Sequence, residues 1–351
     1  MKIYQHVDEF NDRDGIGNDI RGFQSIFQKL NIPNAILTRV NNSKDEFEIY
    51  SPLKHPKLFS EDVHILHFGG TGYPLEFFQE LPGKKILRFH NITPISFFQN
   101  FMSEDLFKTF ERNEIKSNLE LFSLHRSLSH VLSDSNFNQS EYLKLIGEPN
   151  KTKMFVIPVI RHYPLLQRTN LPMKRIGFIG RWAPNKKLED LLFTLFFLQK
   201  IDPSYRLVLI GKKNPAFQTY NDYLTELIQK LELTDKVEIH ENLNDENVKK
   251  QLSTFDIYLS LSEHEGFGIP ILEAMAMGVP VLAFSSSAVV ETVKDAGLLF
   301  TQKDFPLLAE LIQKVISSPE LRARITESQF KRVKEFNEFP FAETLMRIIK
   351  E

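Results

Sequence analysis

The 351-residue sequence has no cysteine, a single tryptophan and an almost balanced charge, formally −2 at neutral pH. Without cysteine there is no disulfide framework and no thiolate metal site. A net charge this small argues against a nucleic-acid binder held by bulk charge, and no nucleic-acid partner is expected. Long apolar runs are missing as well. The richest, residues 191–198, is interrupted by Thr194 and falls far short of the roughly 18 residues of a membrane span. Residues 1–9 lack the apolar core of a signal peptide, so a cytoplasmic location is the expectation. Two nucleotide-binding signatures are also absent. Gly15 and Gly17 are not followed by a third glycine at position 20, which disfavours a nicotinamide dehydrogenase. No Gly-x-x-x-x-Gly-Lys-Ser/Thr loop occurs, which disfavours a nucleoside triphosphatase.

What the sequence does have is enough apolar material for packed cores: 42% hydrophobic residues, 31 of them phenylalanine. The length exceeds one typical core and suits two domains. Short apolar runs at 2–7, 35–39, 63–68, 85–89, 129–133 and 154–160 alternate with helical patterns in the first half. The same alternation restarts at 175–179 and continues through 206–210, 237–240, 255–261 and 279–284. Strand–helix alternation means parallel sheets, so the expected fold class is α/β with two doubly wound domains facing a cleft. The boundaries are expected at 1–160 and 161–330. The linker at 158–173 is punctuated by Pro158, Pro164 and Pro172. The polar run 41–56 reads as a mobile loop. Residues 97–128 read as one long amphipathic helix, carrying Lys108, Arg112, Lys116 and Arg126 among several acids. Such a helix is solvated by default, and docking on a membrane surface stays open.

The most informative stretch is 262–281. An apolar strand ends, two acids and two glycines follow (Glu263, Glu265, Gly266, Gly268), Pro270 suits a first helical turn, and Gly278 suits a helix end. Ligands of parallel sheets bind at the carboxyl ends of strands. Glu265 and Glu273 could there meet two parts of one extended ligand, and carboxylates accept hydrogen bonds from hydroxyl pairs. On spacing alone, an acidic surface loop explains them as well. Arg181 and Lys186 flank a turn after the strand at 175–179. They form either a solvated basic turn or a phosphate clamp. In the first half, Gly15 and Gly17 open a helix. Asp12 and Asp14 read as turn or cap residues rather than metal ligands. His67 and His90 close two strands.

The string Ser262-Glu-His-Glu-Gly-Phe-Gly-Ile-Pro-Ile-Leu-Glu-Ala-Met-Ala resembles the signature of retaining glycosyltransferases of the GT-B fold, the family 4 or group 1 type. The resemblance runs from about residue 175 to 300 and more weakly through the first half. It implies two Rossmann-like domains, with a last helix (331–351) crossing back to the first. It also implies a nucleotide-sugar donor, most readily UDP- or GDP-sugar, without a cofactor or metal. The acceptor would be a glycan or lipid-linked glycan of bacterial surface polysaccharide, with peripheral association at the inner membrane face in view. Residue by residue, Glu273 would bind ribose. Glu265, Gly266, Phe267 and Gly268 would hold the donor sugar, with His90 reaching it from the first domain. Arg181, Lys186, Gly15 and Gly17 would hold the diphosphate. Glu265 and His90 would be the catalytic pair. Lys187 stands where the family often has glycine. Rival readings are a retaining phosphorylase, an epimerase, or a sugar-nucleotide-binding subunit without activity of its own.

Overall fold

The computed structural model describes every residue except 13, 149–150 and 167–173. Part of the expected linker, including Pro172, lies outside the described residues. The chain divides into two units. The first comprises Met1–Pro94, Lys108–Arg161 and Phe339–Glu351; the second comprises Ile95–Phe107 and His162–Glu338. Among the described residues, no helix is long and apolar enough to cross a membrane.

In the first unit seven strands form one parallel sheet. They are β1 (Ile3–Asn11), β2 (Asn34–Asn42), β3 (Ile49–Tyr50), β4 (Val63–Phe68), β5 (Lys84–Phe89), β6 (His130–Ser133) and β7 (Lys153–Val156), in the order β3-β2-β1-β4-β5-β6-β7. Every residue of β4 is buried, as expected for a strand covered by helices on both faces. The loop expected at 41–56 contains β3, which pairs with β2 in the register Ile36↔Ile49. Ile49 packs with Val7, Phe10, Ile20 and Ile36, so one apolar pair in a polar run is enough to anchor an edge strand.

The second sheet consists of β8 (Arg175–Ile179), β9 (Arg206–Ile210), β10 (Val237–His240), β11 (Ile257–Ser260), β12 (Val281–Phe284) and β13 (Leu298–Phe300), in the order β10-β9-β8-β11-β12-β13. In each sheet the strand order reverses once, between β1 and β4 and between β8 and β11. Open parallel sheets hold ligands at such reversals, beyond the carboxyl ends of the strands.

The unit boundaries depart from the sequence reading in two places. Residues 97–128 are not one helix. A 3₁₀ segment, Ile95–Phe101, precedes the α-helix Glu104–His125, and Ser103 caps the helix through its carbonyl and hydroxyl. The 3₁₀ segment belongs to the second unit, where Phe98 stacks on Phe217 and Phe101 packs edge-on to Tyr220, each at 4.8 Å. At the other end the helix Pro319–Asn337 stays with the second unit. Its buried Gln329 bonds Val279 O and Val281 N, both at 2.8 Å. Only Phe339–Glu351 joins the first unit. There the helix Phe341–Lys350 buries Leu345, Ile348 and Ile349 against Ile3, Val63 and Ile86, each burial worth about 1.5–3 kcal/mol.

Candidate functional site

At the reversal of the second sheet, β8 runs into Gly180 and Arg181. Trp182 is buried, and Pro184–Lys186 forms a 3₁₀ turn. Lys187 follows in the left-handed conformation, φ 54° and ψ 51°, and the helix Leu188–Ile201 begins. That conformation is why glycine suits this position. The buried Asn185 ties this basic turn to the loop after β11. Its side chain donates to His264 O at 3.0 Å, and its carbonyl accepts from Glu263 N at 2.9 Å. The result is a 2.7 Å ion pair between Lys186 Nζ and Glu265, both about five-sixths buried with side-chain exposures of 17%. Arg181 is exposed and, among the described residues, forms no ion pair. Glu263 faces away to Lys303 at 2.8 Å and Lys187 at 3.5 Å.

The acidic loop is held by its own backbone. Glu265 N donates to Ser287 Oγ at 2.8 Å, Ser286 donates to Ser262 O at 2.6 Å, and Thr292 donates to Phe267 O. Gly268, at φ 90°, is the cap from which the helix Ile269–Ala276 starts, with Pro270 in its first turn. Phe267 turns its ring inward against Phe336 at 5.7 Å, so only its backbone is available to a ligand. Glu273 is half-buried on the helix. Beneath the loop lies Tyr258, fully buried, its hydroxyl 3.3 Å from Ile179 O. Burial chiefly, then the charges of Glu265 and Glu273, push its pKa far up. Both carboxylates therefore act electrostatically on one tyrosine. Arg181, Lys186, Glu265, Gly266, Phe267, Gly268 and Glu273 thus belong to one end of one sheet.

The remaining candidates lie at the reversal of the first sheet. Gly17 is buried and its amide is already bound by the N-cap Asp14 at 2.5 Å. A Cβ there would lie 2.3 Å from Asn11 O. Gly17 is therefore a packing requirement whose N–H is committed, and only the exposed Gly15 opens the helix Gly15–Lys29 toward solvent. Asp12 pairs with Arg21 at 2.9 Å, so the Asp-x-Asp sequence is spent on a cap and an ion pair. His90 is nearly buried with both ring nitrogens engaged, Nδ1 at 2.9 Å from Asp134 and Nε2 at 3.0 Å from His67. Arg88 bridges Asp19 and Asp134, each at 2.7 Å. Sequence reasoning missed Asn185, Ser287, Tyr258, Asp19, Arg88 and Asp134. Only Arg88 carried a signal, a charge inside an apolar strand.

Residues 167–332 match the family model of glycosyl transferases group 1. Over this stretch the chain is similar to the group 1 glycosyl transferases. The stretch contains the Lys186–Glu265 pair and the whole acidic loop. The chain is 31% identical over 118 residues to the GDP-mannose:cellobiosyl-diphosphopolyprenol alpha-mannosyltransferase of Xanthomonas oryzae pv. oryzae, covering 33% of this chain and 30% of that protein. With the O-antigen chain mannosyltransferase B of Escherichia coli it shares 27% identity over 230 residues, 61% of this chain and 59% of that one. The chain thus spans well under two thirds of these relatives' lengths. Among solved structures, S. aureus TarM superposes with a TM-score of 0.77 at 13% identity, covering 100% of this chain and 99% of that one. Anabaena HepE, solved with UDP-glucose, gives 0.73 at 17% identity, with 98% and 99% covered. At these identities the likeness shows the fold, GT-B with two Rossmann-like units, and the stretch that matches the family model lies in the second of them.

Proposed function

We propose that the protein is a retaining hexosyltransferase. It would move a sugar from a nucleoside diphosphate sugar to a glycan or lipid-linked glycan in surface-polysaccharide synthesis. The observation that carries this reading is the 2.7 Å pair of Lys186 and Glu265 at the sheet reversal. One partner suits a phosphate and the other suits sugar hydroxyls. They neutralise each other until a ligand bearing both groups separates them. A diphosphate then takes Lys186 and the exposed Arg181, and Glu265 accepts hydrogen bonds from the sugar. Glu273 takes the ribose hydroxyls. Two cations at the leaving group supply the charge stabilisation that the departing diphosphate needs, so transfer should survive chelation. The acceptor oxygen bonds to the anomeric carbon as the carbon–oxygen bond to the diphosphate breaks. The acceptor's proton passes to the departing phosphate on that same face, which retains configuration. Because Glu265 is spent on hydroxyls, no protein nucleophile is required.

GDP-mannose is the first donor to test, since the relatives named above are mannosyltransferases, and UDP-glucose the second. A thermal-shift panel of GDP, UDP, ADP and TDP with EDTA present addresses this directly. A ligand at about 100 times its Kd adds about 2.7 kcal/mol to the native state. Stabilisation by one of them supports the reading, and its absence across the panel counts against it. Glu265→Ala should abolish transfer with the circular dichroism unchanged. Lys186→Ala should weaken nucleoside diphosphate binding roughly 10–100-fold, the loss of one charge-assisted hydrogen bond of about 1.5–3 kcal/mol. Pyridoxal absorbance would point instead to a phosphorylase, turnover without acceptor to an epimerase, and binding without transfer to any acceptor to a non-catalytic subunit.

A lipid-linked acceptor would be met at a membrane surface, and one helix suits that. Glu104–His125 buries Ser117, Leu121 and Leu124 on one side. It exposes Ile115, Leu119 and Phe122 on the other, at 54%, 65% and 49%. Arg112 and Lys116 flank this stripe, with Arg126 at 5.9 Å over the Phe122 ring. Lys116 is paired with Glu120 at 3.5 Å, and apolar residues beside Arg112 and Arg126 fit an anionic lipid surface.

A further inference from the structure

The buried groups at the end of β5 hold one proton more than two neutral histidines can supply. Gln5 turns its amide nitrogen to Ile20 O at 3.4 Å and so presents its oxygen to His67 Nε2 at 2.9 Å. In this orientation of the amide, that ring nitrogen donates. Asp134 presents one carboxylate oxygen to His90 Nδ1 at 2.9 Å, while its other oxygen lies 2.7 Å from Arg88. His90 Nδ1 must donate too, because an ionised carboxylate only accepts. His67 Nδ1 and His90 Nε2 then face each other at 3.0 Å, with the rings stacked at 15°. Two bare lone pairs would repel at that distance, and a hydrogen bond needs a third ring proton. Two neutral imidazoles carry only two between them, so a third makes the pair cationic.

Charge balance gives the same answer independently. Asp19, Arg88 and Asp134 are all buried. With neutral histidines, two carboxylates would share one guanidinium, leaving an uncompensated buried charge that costs several kcal/mol. One more positive charge closes the balance. His6 on β1, the next histidine along the sheet, is held neutral by burial and bonded to Tyr73 and His64, so it adds none. The proton belongs on His90, which meets a carboxylate, whereas His67 meets an amide. We infer that His90 is held as an imidazolium, with Asp134 and His67 as its positioning residues, so that the buried cluster at the end of β5 is electrically balanced.

A metal ion is the rival occupant. Asp19 lies 3.8 Å from both facing nitrogens, close enough for three ligands to share an ion. Yet Asp19 is already bound by Arg88 at 2.7 and 3.2 Å and by the Ile160 amide at 2.8 Å. A metal would sit against a guanidinium, and like charges in a low-dielectric interior repel strongly. A proton makes the same bridge without that repulsion. Both N–H groups of His90 are committed to Asp134 and His67, so the proton serves the buried cluster and does not reach a ligand through a hydrogen bond.

The test is nitrogen-15 NMR of the full chain, labelled at histidine, without ligand, at pH 7–8. The expected result is a proton on both ring nitrogens of His90, assigned through His90→Gln, and on one nitrogen of His67. Asp134→Asn removes one carboxylate and should lose the third N–H. Should that variant not fold, the wild-type spectrum alone decides. One bare nitrogen on each ring at pH 7 overturns the inference. So does stoichiometric zinc in the purified protein that His67→Ala releases. Nucleotide binding is a separate measurement, so the donor reading and the imidazolium can fail independently.

Discussion

At the scale of single residues, two backbone positions carry predictions. Lys187 holds φ 54°, which costs a residue with a Cβ about 1–2 kcal/mol. Lys187→Gly removes that cost, adds about 0.5–1 kcal/mol of chain entropy, and gives up the 3.5 Å contact to Glu263. The net change in the denaturant midpoint should be small, within about 1 kcal/mol. Lys187→Val cannot relax in this way and should lose about 1–2 kcal/mol. Gly177 in β8 is stricter: a Cβ would lie 1.9 Å from the Phe255 ring. Gly177→Ala should destabilise by about 1–3 kcal/mol, the ordinary range for overpacking. Adding Phe255→Leu should restore part of that, and no recovery would place the strain elsewhere. The pairing of Lys186 with Glu265 was approachable from sequence because each lies in a short, chemically distinctive string. Asn185 and Ser287, which set the geometry, were not. Their hydrogen bonds span 79 and 22 positions, and nothing local marks an asparagine or serine as a tie between two loops.

At the scale of elements, the sequence pattern located most strands of both sheets. It failed where tertiary packing overrode it. The apolar positions of 97–128 fit one helical period, yet the chain breaks at Ser103 because Phe98 and Phe101 are drawn into the second unit by Phe217 and Tyr220. The remaining helix then keeps an exposed stripe that no core claims. If that stripe meets lipid, binding to vesicles containing phosphatidylserine should exceed binding to neutral vesicles. Each basic residue near such a surface contributes about 1 kcal/mol. Reversing Arg112 and Lys116 together to glutamate should therefore cut binding by about tenfold or more. Leu119→Glu should do the same by removing the apolar anchor. Co-sedimentation equal on neutral and anionic vesicles, or unchanged in both variants, would remove the membrane from the account and leave the stripe as a solvated face.

For the whole molecule, the two units should differ in their response to acid. His6, His64 and His67 lie in the first unit. Burial depresses all three, His64 to about 4 and the other two well below the ordinary value. The sign follows from proton linkage. Above the unfolded pKa near 6.5 both states are neutral at these rings, and no stability is at stake. As pH falls below it, the unfolded chain takes up protons that the folded unit refuses. Stability then drops by about 1.4 kcal/mol per pH unit for each such histidine, until its folded pKa is reached. By pH 5 that amounts to about 2 kcal/mol for each ring that stays neutral, a large share of an ordinary domain's stability. The only tryptophan, Trp182, is buried in the second unit, so its fluorescence reports that unit, whereas far-ultraviolet circular dichroism reports both. Urea titrations read by the two probes should therefore separate as pH is lowered from 7 to 5, with the dichroism transition moving first. Transitions that stay together over that range would mean that the histidine-rich core takes up its protons while folded, or that the units unfold as one.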